Sequence, residues 1–394
     1  MSEMVPEGWE IKNLGDLTTV ITKGTTPKTY CNEGINFIKV ESLSTSKTLI
    51  PEKFAKIDFL THQSQKRSQL KHGDILFGIA GSLGRLAVVE AKDLPANTNQ
   101  ALAIIRLDNG TINRSFCLHQ LAADKIQLEI KNLQTVGAQP NLSLKQVSDF
   151  EVYAPPLPEQ KKIASILTSV DEVIETTQKQ IDKLQDLKKA TMNELLTKGI
   201  GHTEFKDSEL GRIPKSWEVK FISDLCEINT GKKDTQNKEE YAKYPFFVRS
   251  QKVERISTYS YDGEAILTAG DGVGTGKIYH YINGKFDFHQ RVYKLSGFSV
   301  SIVGKYLFHY FSNNFLKQVQ KFSAKGSVES VRMEMISGMK IPVPPKQEQI
   351  IISETLTSIE RLIENNSEKI NQTQSLKKSL MQDLLTGKVR VKVN

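Results

Sequence analysis

Cysteine is scarce in this chain and long apolar runs are absent. Three cysteines, Cys31, Cys117 and Cys226, are spread over 394 residues. An odd number at such distances matches no zinc-site spacing and no disulfide scaffold, so a reducing cytoplasm is the expected compartment. No stretch approaches the about 18 consecutive apolar residues that span a bilayer. The N-terminus, MSEMVPEGWE, is polar and acidic, without the apolar run of a secretory signal. Signatures of catalysis are missing too. The proline pairs follow Ala154 and Val343, so the N/D-P-P-Y/F tetrapeptide of amino-methylating enzymes is absent. Ahead of Gly276-Lys277, the place of the first phosphate-loop glycine holds Asp271, and Ile278 stands where Ser or Thr is needed. Neither Gly270-Gly272 nor Gly272-Gly274 carries the third glycine of a dinucleotide fingerprint. No repeated carboxylate–lysine cluster of nuclease type is found.

What the chain has is a duplication. The stretch Pro155–Gly199, opening PPLPEQKKIASIL, returns without a gap 189 residues later at Pro344–Lys388, opening PPKQEQIIISETL. Each copy reads as one long helix: two prolines stop what precedes it, and no Pro or Gly interrupts its body. Apolar residues recur at alternating spacings of three and four. They are Ile163, Leu167, Val170, Ile174, Ile181 and Leu184 in the first copy. The second has Ile352, Leu356, Ile359, Ile363, Ile370, Leu376, Leu380 and Leu384. That is a coiled-coil seam, broken at one matching place by Thr177 and Asn366, the kind of polar core residue that sets register. At about 1.5 Å per residue, roughly 40 residues give a rod of about 60 Å.

The segments between the helices repeat as well. VPEGWEIKNLGDL, from Val5, is answered by IPKSWEVKFISDL, from Ile213. Trp9 and Trp217 suit base stacking or a small core, and their shared apolar neighbours favour the core. FIKVESL reads as a strand, and KTYCNEG and THQSQKRSQLKHG as loops or short helices. GDILFGIAGSLGRLAVV and GEAILTAGDGVGTGKIYHY read as strand, glycine turn and strand. NQALAIIRL and HQRVYKL read as strands opening at Gln100 and Gln290. Glutamine can read adenine or pair a loop backbone, and the structural role is favoured for both. RSFCLHQLAADKIQLEIK and KYLFHYFSNNFLKQVQK read as amphipathic helices carrying His119 and His309, expected to be packed or capping. GIGHTEFKDSELGR reads as a polar linker.

The net charge is +8 and favours an anionic partner, nucleic acid first. The candidate contacts are basic and polar residues of the turns and loops: Lys23, Lys28, Lys66, Arg67, Lys71, Ser82, Arg85 and Gln139 in the first half. The second half offers Lys232, Lys233, Arg249, Lys252, Lys277, Arg291, Lys325 and Arg332. Such residues can contact phosphates and base edges, or form an ordinary solvated face. The loops holding Gly137, Ala138, Gln139 and Asn141, and Lys325, Gly326, Ser327 and Arg332, read equally as plain connectors.

The opening P-x-x-W-E, the G-D-I-L-x(5)-S-x-G-R hairpin, the P-P-L-P-E-Q-x-x-I-A helix start and the L-x-x-x-K-K-x-x-x-x-x-L-L-T-K-G helix end, with their second-half counterparts, resemble the specificity subunit of type I restriction-modification systems. The likeness covers essentially the whole chain. The second half departs from it at Asp271-Gly272-Val273-Gly274 and at Lys346-Gln347. The resemblance implies an α+β chain: two similar α/β target recognition domains, separated by two long helices that form an antiparallel coiled coil in a pseudo-twofold internal repeat. The expected divisions are 1–155 (first recognition domain), 156–208 (first spacer helix and linker), 209–343 (second recognition domain) and 344–394 (second spacer helix and tail).

It further implies a non-catalytic subunit that reads double-stranded DNA in two halves across an unread gap. Its partners would be two methyltransferase subunits docked on the helices, with restriction and translocase subunits joining through the complex. No cofactor is expected in this chain; S-adenosylmethionine, ATP and Mg are expected on the partners. DNA repeats its groove about every 34–36 Å, so a stiff rod would fix which half-sites are touched together. Two other readings compete: a stand-alone bipartite DNA-binding regulator or architectural protein, and an enzyme holding a phosphate in the Gly272–Lys277 loop.

Overall fold

The structure is a computed structural model that describes residues 5–134, 141–322 and 330–393. Two compact units are found: residues 1–179 with 367–394, and residues 180–366. Each combines one globule with portions of both long helices, Leu157–Lys198 and Lys346–Leu384.

In the first unit a four-stranded antiparallel sheet has the order Thr18–Lys23, Leu102–Leu107, Ile75–Gly78, Leu86–Val88. A three-stranded sheet, Ala55–Ile57, Ile35–Ile38, Ala96–Thr98, has its strands interleaved with these in sequence and pairs its last two in parallel. Glu10–Asn13 pairs with Glu151–Ala154, so the segment after Trp9 and the segment before the proline pair form one ribbon. Helices Arg114–Leu121 and Asp124–Gln134 pack on the core. A single helix was expected here; residues 122–123 break it into two. FIKVESL is a strand only to Ile38, and Val40–Ser42 is a single helical turn.

The second unit has one six-stranded sheet, ordered Glu227–Thr230, Val292–Ser296, Tyr261–Ala269, Tyr279–Phe288, Tyr244–Phe247, Glu254–Ile256. One helix, Gly304–Gln320, covers it. Glu218–Phe221 pairs with Lys340–Val343 as the counterpart ribbon. The expected polar linker contains structure of its own: Phe205–Ser208 and Gly211–Pro214 form a hairpin.

Within each unit the two helix portions run antiparallel. In the first, Ile163 and Leu167 share a core with Leu384 and Leu385, and Asp171 pairs with Lys377 further along. In the second, Met192 and Leu196 share a core with Ile352 and Leu356, and Lys188 pairs with Glu360 at 2.9 Å. Among seam residues, Ile163, Leu167, Ile181, Ile352, Leu356, Ile359 and Ile370 are buried, while Val170, Ile174, Leu184, Ile363 and Leu380 are half-buried. One expectation fails. Leu376 is 54% exposed, because the core position of that turn is taken by Lys377, drawn inward by Asp171. Thr177 is buried, and its hydroxyl donates to the Val173 carbonyl at 2.8 Å; the Asn366 amide donates to Leu362 O at 2.9 Å. A polar residue in the seam thus leaves no orphan group.

The E-Q dipeptide after each proline pair joins globule to helix. Glu159, 3% exposed, accepts Trp9 Nε1 at 3.1 Å and both Nε and Nη2 of Arg390, at 2.7 and 2.9 Å. Glu348 accepts Trp217 Nε1 at 3.0 Å and the Ile200 N–H at 2.9 Å, and meets His202 Nε2 at 2.8 Å. Trp9 and Trp217 are therefore core anchors with a satisfied polar handle, as expected. Gln160 accepts the Asn113 N–H and donates to Pro155 O, both at 2.7 Å. Gln349 accepts the Val303 N–H and donates to Pro344 O, both at 2.8 Å. The two histidines are packed: His119 lies 3.4 Å from Lys47 Nζ and 3.5 Å from Thr168 Oγ1, and His309 lies 3.4 Å from Thr357 Oγ1 and 3.7 Å from Glu360.

Two outcomes follow. Glu159→Ala leaves a buried indole N–H without an acceptor and Arg390 without its carboxylate; unfolding of the first unit is expected to be easier by about 1–3 kcal/mol, read by denaturant titration, with Glu159→Gln milder. Burial lowers His309 from its ordinary 6.5 to about 4, with Glu360 opposing and Lys305 and Lys188 reinforcing. As pH falls below 6.5 the unfolded chain takes up the proton first, so stability drops between 6.5 and about 4 and is insensitive to this group above that window. His309→Gln is expected to flatten that part of the second unit's stability–pH curve.

Candidate nucleic-acid interface

The registers of the two central sheets bring most of the basic candidates to one end of each. In the first unit Lys23 pairs with Ala103 and Gly78 with Leu102. The Lys23 strand end, the turn after Gly78 and the residues before Leu102 therefore lie together. In the second, Thr230 and Thr268 both pair with Tyr293, and Ala269 with Val292. That places Gly231, the turn after Ala269 and the residues before Val292 at the corresponding end.

A glycine is obligatory at each place. A Cβ on Gly24 would overlap the carbonyl oxygens of Thr98 and Asn99, and one on Gly231 those of Phe288 and His289. The loop leaving the first strand is pressed onto the neighbouring backbone in both units. In the first, Thr25 N–H donates to Thr98 O at 2.9 Å. In the second, Gln290 N–H donates to Lys233 O at 2.8 Å.

Lys23 and Lys28 are exposed on this loop of the first unit. Arg67 reaches it from a distant stretch, its Nη2 donating to Thr25 Oγ1 at 3.3 Å, with Lys66 exposed beside it. Ser82 (exposed) and Arg85 (half-buried) occupy the turn after Gly78. Lys71 is placed elsewhere: its N–H is held by Asp74 at 2.8 Å, where the Ile75–Gly78 strand begins. Asp74 is itself buried and grips Arg106 through two bonds of 2.7 Å. The exposed stretch of Leu60, Gln63 and Ser64 lines a cavity with Lys66 and Gln69; residue spacing alone gave no sign of it.

In the second unit Lys232 is exposed and Lys233 half-buried. Arg249 and Arg291 come together on Asp271, at 2.9 and 3.4 Å. Arg332 is exposed next to Val331, whose N–H donates to Gly270 O at 2.7 Å. Lys277 is exposed in the turn, and Lys252 lies 3.6 Å from Glu254. Gln290 has the structural role expected of it, donating to Asp234 at 2.9 Å; Gln100 is exposed. The loop candidates Gly137, Ala138, Gln139, Lys325, Gly326 and Ser327 lie outside the described residues, whereas Asn141 is exposed beside Leu142, which bonds Ile79 O.

The glycines of the turns are mostly packed within their own unit. Cβ atoms on Gly84, Gly274 and Gly276 would meet Gln127, Ile278 and Leu316 of the same unit, while Gly272 faces open space. Most of the small residues thus serve the unit's own packing. His289 is 2% exposed; burial lowers its pKa, and its Nδ1 accepts the Arg291 N–H at 2.9 Å.

Among the described residues no group of three or more His, Cys, Asp or Glu could hold a metal ion, and no helix is long and apolar enough to cross a membrane. Burial raises the thiols of Cys117 and Cys226 to about 12, which keeps them protonated and unreactive.

A sequence model of the type I restriction modification DNA specificity domain matches residues 6–186 and again 214–374. The type I restriction enzyme MjaVIII specificity subunit of Methanocaldococcus jannaschii is 29% identical over 425 residues, covering 98% of this chain and 94% of its own length. Among solved structures, the type I restriction-modification S subunit from M. genitalium superposes with a TM-score of 0.66 at 13% identity, over 98% of this chain and 97% of that one. A second, from work on assembly and conformational transition of the type I system, gives 0.58 at 15% identity, over 98% and 100%.

Gly231→Ala is expected to lift the 231–234 loop off its neighbour. Amide exchange at Gln290 should then accelerate at least about tenfold, since the Lys233 carbonyl it bonds is withdrawn; unchanged protection would refute the enforced approach.

Proposed function

We infer from one fact, that the chain belongs to the type I restriction-modification DNA specificity family, that it is the DNA-reading subunit of such a system. The observation that carries the reading is the twinned basic end: the same sheet end, built around Gly24 and Gly231, gathers Lys23, Lys66 and Arg67 in one unit and Lys232, Arg249 and Arg291 in the other. Each end takes one half of a bipartite duplex target. Lysine and arginine supply the phosphate contacts that hold register, and side chains on the same loops read base edges. The long helices, each contributing to both units, set the spacing between the half-sites.

The helices also present matched apolar residues to solvent. Val173 and Leu376 are exposed in the first unit, and Leu187 and Leu362 in the second. Val173 and Leu362 occupy equivalent repeat positions, as do Leu187 and Leu376. Exposed aliphatics repeated in this way suit two copies of one partner, the modification subunit. Restriction and translocase subunits join through that complex in the cytoplasm, and S-adenosylmethionine, ATP and Mg belong to the partners.

The test is co-expression with a type I modification subunit. The expected product holds two modification subunits per chain and methylates a two-part sequence with a constant gap. Leu187→Lys and Leu376→Lys, which alter exposed positions and should leave folding intact, are each expected to remove one modification subunit. A chain that selects a bipartite duplex and recruits no modification subunit would instead be a stand-alone regulator.

A further inference from the structure

We propose that Arg249, Asp271 and Arg291 form a guanine-reading site in the second unit, with Asp271 the positioning residue that aims both guanidinium groups. The inference rests on the DNA-reading role above and deepens it by naming the bases read.

Three segments distant in sequence are fastened around one carboxylate. Arg249 Nη1 donates to Asp271 Oδ1 at 2.9 Å, and Arg291 Nη1 lies 3.4 Å from Oδ2. The backbones beneath them are cross-linked. Gly270 N–H donates to Arg291 O at 2.8 Å, and Val331 N–H to Gly270 O at 2.7 Å. His289 N–H donates to Phe247 O, two residues before Arg249, at 2.9 Å. The turn carrying Arg291 is held further by the His289 imidazole and by Gln290 on Asp234. The arginines are thus presented from a stiff platform.

The carboxylate is 20% exposed, whereas the arginine side chains are 43% and 65% exposed. Ion pairs this open contribute little to stability, so folding does not account for the cluster. Nor does charge alone, which lysine would supply. A guanidinium has five donors in a fixed fork. Here each arginine spends one Nη on Asp271 and keeps its other donors for a ligand. The fork matches the O6 and N7 acceptors of guanine in the major groove, and a carboxylate beside it can accept from the N4 amino group of the paired cytosine. Phosphate is the competing anion for any arginine, but Asp271 repels it and tolerates a neutral base edge. The first unit has no such arrangement at the equivalent end among the described residues, where Arg67 meets a threonine hydroxyl. The two half-sites should accordingly differ, with G·C pairs concentrated in the one read by the second unit.

The experiment selects duplexes from a random library with the full-length chain, then measures affinity for the selected sequence. The wild type should enrich at least one G·C pair in one half. Replacing that guanine by 7-deazaguanine, which deletes only the N7 acceptor, should weaken binding about tenfold or more. Asp271→Asn should lower the preference for G·C over other pairs about tenfold while binding to unrelated DNA is kept or increased, and Arg291→Lys should lose the preference while keeping the charge. Indifference to 7-deazaguanine at every guanine of the selected sequence overturns the inference, as does an Asp271→Asn chain whose affinity rises equally for all sequences. A chain that enriches no sequence at all overturns the DNA-reading role itself.

Discussion

The buried carboxylate at the start of each long helix is the constraint on which the rest depends. Glu159 and Glu348 are nearly withdrawn from water, and a carboxylate there is tolerable only when its oxygens are filled. They are filled by two parts of the chain: the tryptophan that opens the globule, and the segment following the end of the other helix, which supplies Arg390 in one unit and Ile200 and His202 in the other. One side chain therefore fixes where a globule begins, where its helix begins and where the opposite helix must end. The neighbouring glutamine fastens the loop before the globule's helix, through Asn113 or Val303. The PPxxEQ sequence is a joint, and its polar residues are retained because burial without partners would be more costly than the bonds they form.

That joint explains how a surface can vary on a constant body. The ribbon of Glu10–Asn13 with Glu151–Ala154, and its twin in the second unit, leads from the joint to the core. The core presents its sheet end, and beyond the shared ribbon and sheet end the two units differ. The second unit adds the Tyr244–Phe247 and Glu254–Ile256 strands to its main sheet, whereas the first keeps a separate three-stranded sheet. Both nevertheless press a glycine loop against the same backbone neighbour. Loops on a rigid scaffold are where recognition is expected to reside.

Much of this was legible in the residues and some was not, for identifiable reasons. The long helices, the duplication, the tryptophan anchors and the strand–turn–strand hairpins are local or periodic features, and a period survives whatever packs against it. Leu376 shows the limit. Spacing assigns it to the seam, yet Lys377 occupies the core position, because Asp171 on the other helix offers an ion pair that no reading of one helix reveals. The Phe205–Pro214 hairpin was hidden by its polar, charged composition. The basic candidates were found by charge, but their grouping was not: Arg67 meets Thr25 across 42 positions and Arg249 meets Asp271 across 22. In the sequence, Asp271 is a residue that spoils a phosphate loop and departs from the first half's hairpin. Its chemistry becomes visible once strand register brings two arginines to it.

Strand register also governs what duplication permits at the two sheet ends. Two copies of one fold, tied by the same joint, present equivalent sheet ends. A substitution at those ends meets solvent rather than core and is nearly neutral for folding. A substitution at Gly24, Gly231, Glu159 or Glu348 meets backbone or buried partners and is not. Selection on stability therefore holds the joint and the glycine loop, and leaves the neighbouring side chains free. Lys66, Arg67 and Thr25 in one unit, against Arg249, Asp271 and Arg291 in the other, are what such freedom produces: one scaffold with two different patterns of donors and acceptors. Since base edges are distinguished by such patterns, divergence at these loops alone would suffice to change which pattern each end presents.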